Sequence, residues 1–457
     1  MGNEKTRKPG ELESLTTSWL GRGLKLSTTT AAVAARVVGA GLQKVVTNNK
    51  GASQITQRTQ EAIARQMADQ LGELKGLMMK MGQMVSYMDF ALPEVARAAF
   101  EKLQHSTPPM GANVIAQIIF EEFGRGPREL FAEWSPNPIA AASIGQVHRA
   151  RLHSGEEVAV KVQYPGISKT LDSDLKNAGL LDTLSTFLFR GQERGTFVAE
   201  LRERLMEECD YLKEAANQEH FRELYSQDAR VVIPRVFREF STRRVLTTEF
   251  IQAKSFKEFN ETASQSQRNR AGEVMWDVAF ASIFRHCIFN GDPHPGNYLF
   301  TEDRVVFLDF GCVKRFDAAF VDEWRRLVRS VLERDRAGTD RIIVELGMAP
   351  KPESFDFDYN HTMILELYEP WLYDENFTFS QDYVARTWKK MMVDNKNKFS
   401  IRMPKDWVFT NRLQWGLYAV LAAMKADSNW RSRILALVYQ PGEVRPAAFI
   451  ERVAVAR

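Results

Sequence analysis

Asp292 and Asn297 stand five residues apart in the run NGDPHPGN, and Asp309 opens the triplet DFG within the following VVFLDFG. A carboxylate, a carboxamide and a second carboxylate so spaced are suited to the handling of nucleotide phosphates. That chemistry needs oxygen ligands for magnesium, fixed positive charge on the phosphates, and a carboxylate that orients the attacking group. In this reading Asn297 and Asp309 ligate Mg2+, and Asp292 lies beside the nucleophile. The positive charge comes from Lys161 at the end of VAVK, a stretch that follows the small-residue run AAASIG. VAVK alone is a weak signal, because a lysine ending a strand is ordinarily just solvated. NGDPHPGN followed by a hairpin and LDFG is the stronger one, since chance would need both a turn-forming DPHPGN and a DFG at the correct separation.

These residues need elements to hold them. QVHRARL and EVAVKVQ both alternate apolar and polar residues about a Ser-Gly turn, which predicts a hairpin with Lys161 projecting from one face. Thr196 to Ser226 reads as one long helix carrying EECDYLKEAANQ, and RRVLTTEF as a strand. Arg270 to Phe289 reads as a helix that leads into NGDPHPGN, and YLF and VVFLDF as short strands that return Asp309 to the neighbourhood of Asn297. Beyond about Ala318 the chain is apolar-periodic, with Trp371, Trp388, Trp407, Trp415 and Trp430, and reads as helices. A glutamate on the long helix would steady Lys161. Glu207, Glu208 and Glu214 are the candidates, and Glu214 is preferred.

Further toward the amino terminus, Ile63, Met67, Leu71, Leu74, Met78 and Met81 recur at helical steps, which places Lys80 and Gln83 of KMGQ on one helix face. From Ser14 to Gln60 there is no acidic residue, whereas Arg22, Lys25, Arg36, Lys44, Lys50 and Arg58 are basic. Two readings of that segment stand. It docks on anionic lipid headgroups, or its apolar stripe packs on the protein's own body.

The motifs KMGQ (Lys80–Gln83), AAASIGQVH (Ala140–His148), VAVKVQYPG (Val158–Gly166), ECDY (Glu208–Tyr211), DPHPGN and DFG together resemble the UbiB family of atypical kinase-like proteins, over roughly Leu71 to Phe316. The resemblance implies an α+β, two-lobed protein-kinase-like fold with a helical KxGQ extension packed over the active site and a helix-rich carboxyl-terminal lobe. The expected divisions are a basic segment 1–57, the KxGQ extension 58–130, a small lobe 131–253 and a helical lobe 254–457. The family likeness makes Ala141, Ala142 and Ser143 an alanine-rich counterpart of a glycine-rich nucleotide loop, stiffer than its glycine equivalent. It also gives Glu249 and Ile251 of the hinge-like strand to ATP, and Lys80, Gln83, Glu208 and Asp210 a regulatory place near the nucleotide. Asp292, Lys161 and Glu214 would be catalytic, with ATP and Mg2+ as cofactors. Asn290 departs from the family, whose members often have His there, and Ala253 stands where Gly is frequent.

The function so implied is an atypical kinase or ATPase that supports ubiquinone biosynthesis, acting on a small molecule or lipid rather than on proteins. Its partners would be ubiquinone precursors, the enzymes of that pathway and the membrane surface. A phosphotransferase of the aminoglycoside or choline kinase type and an ATP-gated scaffold are the alternatives. The implied location is the bacterial cytoplasm, at the periphery of the inner membrane, or the matrix side of the mitochondrial membrane in a eukaryote.

Bulk properties agree with this class and exclude others. The 457 residues carry 61 basic and 58 acidic side chains, a balance that gives no overall case for binding nucleic acid. Three widely spaced cysteines without a CxxC pair argue against a disulfide framework and against zinc. No stretch of about 18 uninterrupted apolar residues occurs, so no transmembrane helix is expected.

Overall fold

The computed structural model describes residues 110–142, 144–168 and 206–450. Lys80, Gln83, Ser143 and the basic segment 14–60 lie outside these residues, as does the expected helix through 196–205. The chain divides into two compact units, one including residues 110–168, 206–219 and 234–251, the other 220–233 and 252–450.

The first unit is built on an antiparallel sheet in the order β1-β3-β4-β6, with β2 paired to β3. Its strands are β1 (Glu133–Trp134), β2 (Ala140–Ala142), β3 (Gly145–Arg151), β4 (Glu157–Gln163) and β6 (Val245–Glu249). Strand alternation decides which residues enter the core. Val158, Val160 and Val162 point to one face of β4 and are fully buried, whereas Lys161 between them faces the other way. Helix α1 (Ala112–Phe123) covers the apolar face with Ile115, Ile118 and Ile119, which share one side at helical spacing. The short helix α2 (Pro127–Leu130) adds Leu130 to the same core. β2 and β3 form a tight hairpin in which Ala142 pairs with Gly145. A Cβ on Gly145 would collide with the Val162 carbonyl, so only glycine lets the hairpin lie this close to β4.

Helix α3 (Tyr211–Leu224) contributes Tyr211 and Ala215 to this core. The sequence reading of one uninterrupted helix through this region needs correction, because the chain leaves helical geometry at Cys209 and Asp210. Asp210 Oδ1 accepts from the Leu212 amide at 3.1 Å and its carbonyl accepts from Lys213 and Glu214. Asp210 therefore starts a new helix in the manner of a side-chain cap.

The second unit holds a four-stranded sheet in the order β5-β10-β9-β7, formed by β5 (Val231–Val232), β7 (Lys254–Ser255), β9 (Tyr298–Phe300) and β10 (Val305–Phe307). A separate ladder pairs β8 (Ile288–Asn290) with β11 (Val313–Arg315), and another pairs β12 (Phe377–Thr378) with β13 (Asp427–Ser428). The rest is helical: α4 (Phe256–Thr262), α5 (Gln265–His286), α6 (Ala318–Leu332), α7 (Arg336–Glu345), α8 (Phe357–Leu367), α9 (Glu369–Leu372), α10 (Gln381–Met392), α11 (Lys405–Met424) and α12 (Trp430–Val438).

Ser264 and Gln267 form a capping box that starts α5, and the helix ends at Cys287, which adopts a left-handed conformation. Ile288 and Phe289, expected to extend the helix, instead belong to β8. Strand β10 ends at Phe307; of Leu308 and Asp309, both expected to continue it, Leu308 still bonds across to Asn297 O and Asp309 stands beyond the ladder. The core of this unit is aromatic, with Trp276, Trp324, Trp371 and Trp430 almost completely buried. Phe280 packs edge-on against Trp371 and obliquely against Trp276. Toward the carboxyl end, buried Arg431 donates to the carbonyls of Trp371, Leu372 and Pro446, and the Phe449 amide returns to Leu372 O at 2.9 Å. Arg334 stacks over the Phe449 ring.

Candidate functional site

In the first unit, Lys161 Nζ donates to both carboxylate oxygens of Glu214, at 2.9 and 3.1 Å. The pair is well shielded, with Glu214 side-chain exposure of 3% and Lys161 of 16%. The same ammonium lies 4.9 Å from the centre of the Tyr211 ring. Register explains the lysine's position: Lys161 pairs with Val147 on β3 and Leu246 on β6, so its strand is fixed on both sides. Two residues on, buried Gln163 donates to the carbonyls of Cys209 and Arg243, at 3.0 and 3.1 Å. That side chain ties the lysine strand to the turn from which α3 begins.

Glu208 is buried at the end of the preceding helical turn. Asp210, besides capping α3, lies 3.5 Å from the guanidinium of Arg243, which is mostly exposed, so this ion pair adds little. Burial, with Glu208 and Asp210 as charged neighbours, pushes the Cys209 thiol up to about 12. It remains protonated and unreactive at neutral pH. Ala141 is exposed and Ala142 half-buried on β2. Glu249 ends β6, its amide donating to Arg235 O and its carboxylate accepting from the Arg235 amide, and Ile251 follows half-buried.

A further polar chain runs through the same sheet. The Met110 amide donates to Gln146 Oε1 at 2.9 Å, Gln146 Nε2 lies 3.0 Å from His148 Nε2, and His148 Nδ1 lies 2.9 Å from Ser135 O. An amide NH2 on one ring nitrogen and a carbonyl on the other require a neutral imidazole with its proton on Nδ1. The His148 ring also stacks on Trp134. Burial holds its pKa below the usual histidine value.

In the second unit, three main-chain and side-chain ties bring the DPHPGN and DFG segments together. Asn297 O accepts from the Leu308 amide at 3.0 Å, which continues the β9–β10 ladder by one step. Gly291 N donates to Cys312 O, and Asn290 Nδ2 donates to the backbone oxygen of Asp309 at 2.7 Å. Asp292 is 5% exposed. Its carbonyl accepts from Asn297 Nδ2 at 2.9 Å and from the His294 amide at 2.8 Å. With its nitrogen so committed, Asn297 could hold a cation through its oxygen, and Asp309 through its carboxylate, whose Oδ1 accepts from Gly311 N. An all-oxygen pair of this kind fits magnesium, a hard cation that keeps several waters. Tyr298, buried near the Asp292 carboxylate, has its phenol pushed well up by burial and by that charge. Tyr298 and Asn290 were not assigned roles from the sequence. The chain spacing that singles out Asp292 says nothing of which neighbours enclose it.

Residues 102–343 match the ABC1 atypical kinase-like domain. The chain belongs to the ABC1 (UbiB) atypical kinase-like family. Among its relatives, the mitochondrial atypical kinase COQ8 of Schizosaccharomyces pombe is 32% identical over 335 residues, which cover 72% of this chain and 54% of the relative. The mitochondrial COQ8 of Saccharomyces cerevisiae is 28% identical over 420 residues, covering 91% of this chain and 83% of that one. Several of these relatives are longer proteins, of which this ABC1 chain spans about half. The structure of Rv3197 of Mycobacterium tuberculosis in complex with erythromycin superposes with a TM-score of 0.62 at 29% identity, covering 84% of this chain and 98% of that one. The ABC1 chain thus has an α+β, two-lobed kinase-like fold with helical extensions. No helix among the described residues is long and apolar enough to cross a membrane.

Proposed function

We propose that this ABC1 protein binds ATP and magnesium and turns ATP over, by hydrolysis or by phosphorylating a small molecule or lipid, in support of ubiquinone biosynthesis. The observation that carries the proposal is the stitching of DPHPGN to DFG on adjoining backbone segments, which supports reading Asn297 and Asp309 as oxygen ligands near buried Asp292. In this reading Lys161, steadied by Glu214, meets the phosphates, and Asn297 and Asp309 hold Mg2+. Asp292 orients the attacking hydroxyl or water and accepts its proton. Magnesium, when bound, would neutralise charge on the transferring phosphoryl group. Ala141, Ala142 and Ser143 cover the nucleotide, and Glu249 and Ile251 border it. The KxGQ extension over residues 58–130, through Lys80 and Gln83 and alongside Glu208 and Asp210, restricts which acceptor can enter. The relatives named as COQ8 kinases support the pathway assignment, and the basic segment 14–60 supports a role at the membrane surface.

The test is magnesium-dependent phosphate release from ATP by the purified protein, with and without anionic liposomes carrying a phenolic ubiquinone precursor. Wild-type protein is expected to release phosphate and the Asp309→Asn variant to lose both release and magnesium-dependent nucleotide binding. Unchanged ATP affinity in that variant would overturn the metal assignment. Nucleotide binding without turnover under every condition would favour the scaffold instead. Deletion of residues 14–60 is expected to reduce binding to the anionic liposomes, and undiminished binding would remove that segment from the membrane role.

A further inference from the structure

Helix α11, 20 residues long, lies more than a hundred residues beyond the DPHPGN loop in sequence and outside every motif that marks the family. Yet it touches that loop directly. A Cβ placed on Gly416 would sit 2.5 Å from Cγ of Pro293, with Cδ and Cβ of the same ring at 3.5 and 3.7 Å. Pro293 is the residue bonded to Asp292, and it is buried. The proline ring is seated on bare helix backbone, where any larger residue would displace it.

The same helix reaches the second half of the site at its start. Asp406, in its first turn, forms an ion pair with Lys314 Nζ, whose side chain is 10% exposed. Lys314 lies on β11, the strand that follows DFG and pairs with β8, the strand that precedes Asp292. The far end of the helix is anchored too. Asn260 donates to Ala423 O at 3.0 Å and Arg268 Nε to Met424 O at 3.1 Å, so α4 and α5 fix it in place. A rigid element pinned at both ends thus contacts both segments that supply Asp292, Asn297 and Asp309.

We infer that α11 is the brace of the phosphate-handling loop and that Gly416 is its positioning residue, acting on Asp292 through Pro293. The inference rests on the reading that Asp292 acts in ATP turnover. Carbon atoms pack at about 3.5–4.0 Å, so an alanine at 416 drives the proline and the loop aside by roughly 1 Å. Displacement on that scale costs on the order of a hundredfold in rate when it misplaces a reacting group. Nucleotide affinity, which rests largely on other contacts, changes little. Helix propensity works in the opposite sense, since alanine is favoured over glycine inside a helix. The clash opposes that gain, so an activity loss is told from a loss of folding by the melting temperature and by the rescue described below.

The experiment compares wild type with Gly416→Ala, Pro293→Ala and the double variant. Three quantities are read: kcat and KM for magnesium-dependent ATP hydrolysis, melting temperature, and hydrogen exchange of the amides of residues 291–298. Gly416→Ala is expected to lower kcat 10- to 100-fold with KM within about twofold, and to speed exchange at His294 and Asn297. Pro293→Ala in the Gly416→Ala background removes the ring that collides and should restore kcat toward that of Pro293→Ala alone. Gly272→Ala is the control for overpacking in general. Its Cβ would sit 2.7 Å from the Ala426 Cβ and 3.2 Å from Leu421 Cδ2 at the far end of α11, so it should lower the melting temperature, and Pro293→Ala should not relieve any loss it causes. Wild-type kcat and exchange in Gly416→Ala, or a loss that Pro293→Ala does not relieve, would overturn the inference. Asp292→Asn separates the two levels. If it retains turnover, the assignment of Asp292 falls, whereas loss of turnover there with an unaffected Gly416→Ala removes only the brace.

Discussion

The side-chain amide of Asn290 donates to the backbone oxygen of Asp309 at 2.7 Å, so the residue two before Asp292 holds the first residue of DFG in place. Asn290 thus supplies a donor to a carbonyl of the DFG segment. Asn290→Ala leaves a carbonyl without that donor, a change that costs about 1–3 kcal/mol. Its expected signature is a raised magnesium requirement for nucleotide binding, with a modest fall in melting temperature, read by titrating Mg2+ at fixed ATP analogue. An unchanged requirement would mean that Asp309 is held well enough by Gly291 and Asn297.

Lys161 and Glu214 make a shielded ion pair, and such a pair is costly to break on one side but cheap to replace as a whole. Lys161→Met should lower stability by about 3 kcal/mol and abolish ATP binding. The double variant Lys161→Met, Glu214→Leu should recover most of the stability and none of the binding. Denaturant unfolding and a fluorescent ATP analogue measure the two effects separately. Parallel recovery of both would show that the lysine acts on folding alone.

His148 makes stability depend on pH. Its folded pKa lies below the unfolded value of about 6.5, because burial opposes the charged ring. The contribution is fully present above the unfolded value and is lost as the pH falls through the window below it. Protonation would also set an N–H against the Gln146 amide, which itself is held by Met110. Melting temperature measured between pH 7.5 and 5.5 should fall more steeply in wild type than in His148→Gln. Equal slopes would assign the acid sensitivity elsewhere.

The strands were legible where one face is buried and the other is not. Val158, Val160 and Val162 alternate with Lys161, and that period announces both the strand and the face on which the lysine stands. The loop DPHPGN was legible because proline, glycine and asparagine leave few conformations open. The break before Tyr211 was not, since ECDYLKEAANQ is polar and helix-compatible throughout. Only the cap geometry of Asp210 and the grip of Gln163 on Cys209 O show where the helix begins. The end of α5 was missed for a related reason: Ile288 and Phe289 are as apolar as the helix before them, and their pairing with Arg315 and Lys314 lies far along the chain. No pattern near Pro293 could have pointed to Gly416, because the contact is a matter of tertiary distance.

The carboxyl-terminal run is gripped by Arg431 at the Pro446 carbonyl and by Arg334 at that of Ala448, and an acceptor of that kind is supplied by every residue type. The grip is therefore blind to the side chains it holds, apart from the ring of Phe449 beneath Arg334. Apart from Gly442, which adopts a positive φ, and Glu443, which pairs with Arg329, residues between Gln440 and Ala448 are free to drift in identity while the path of the backbone persists. The two arginines have no such freedom. Lysine at position 431 would carry the charge but lack the planar fork that reaches Trp371 and Pro446 together.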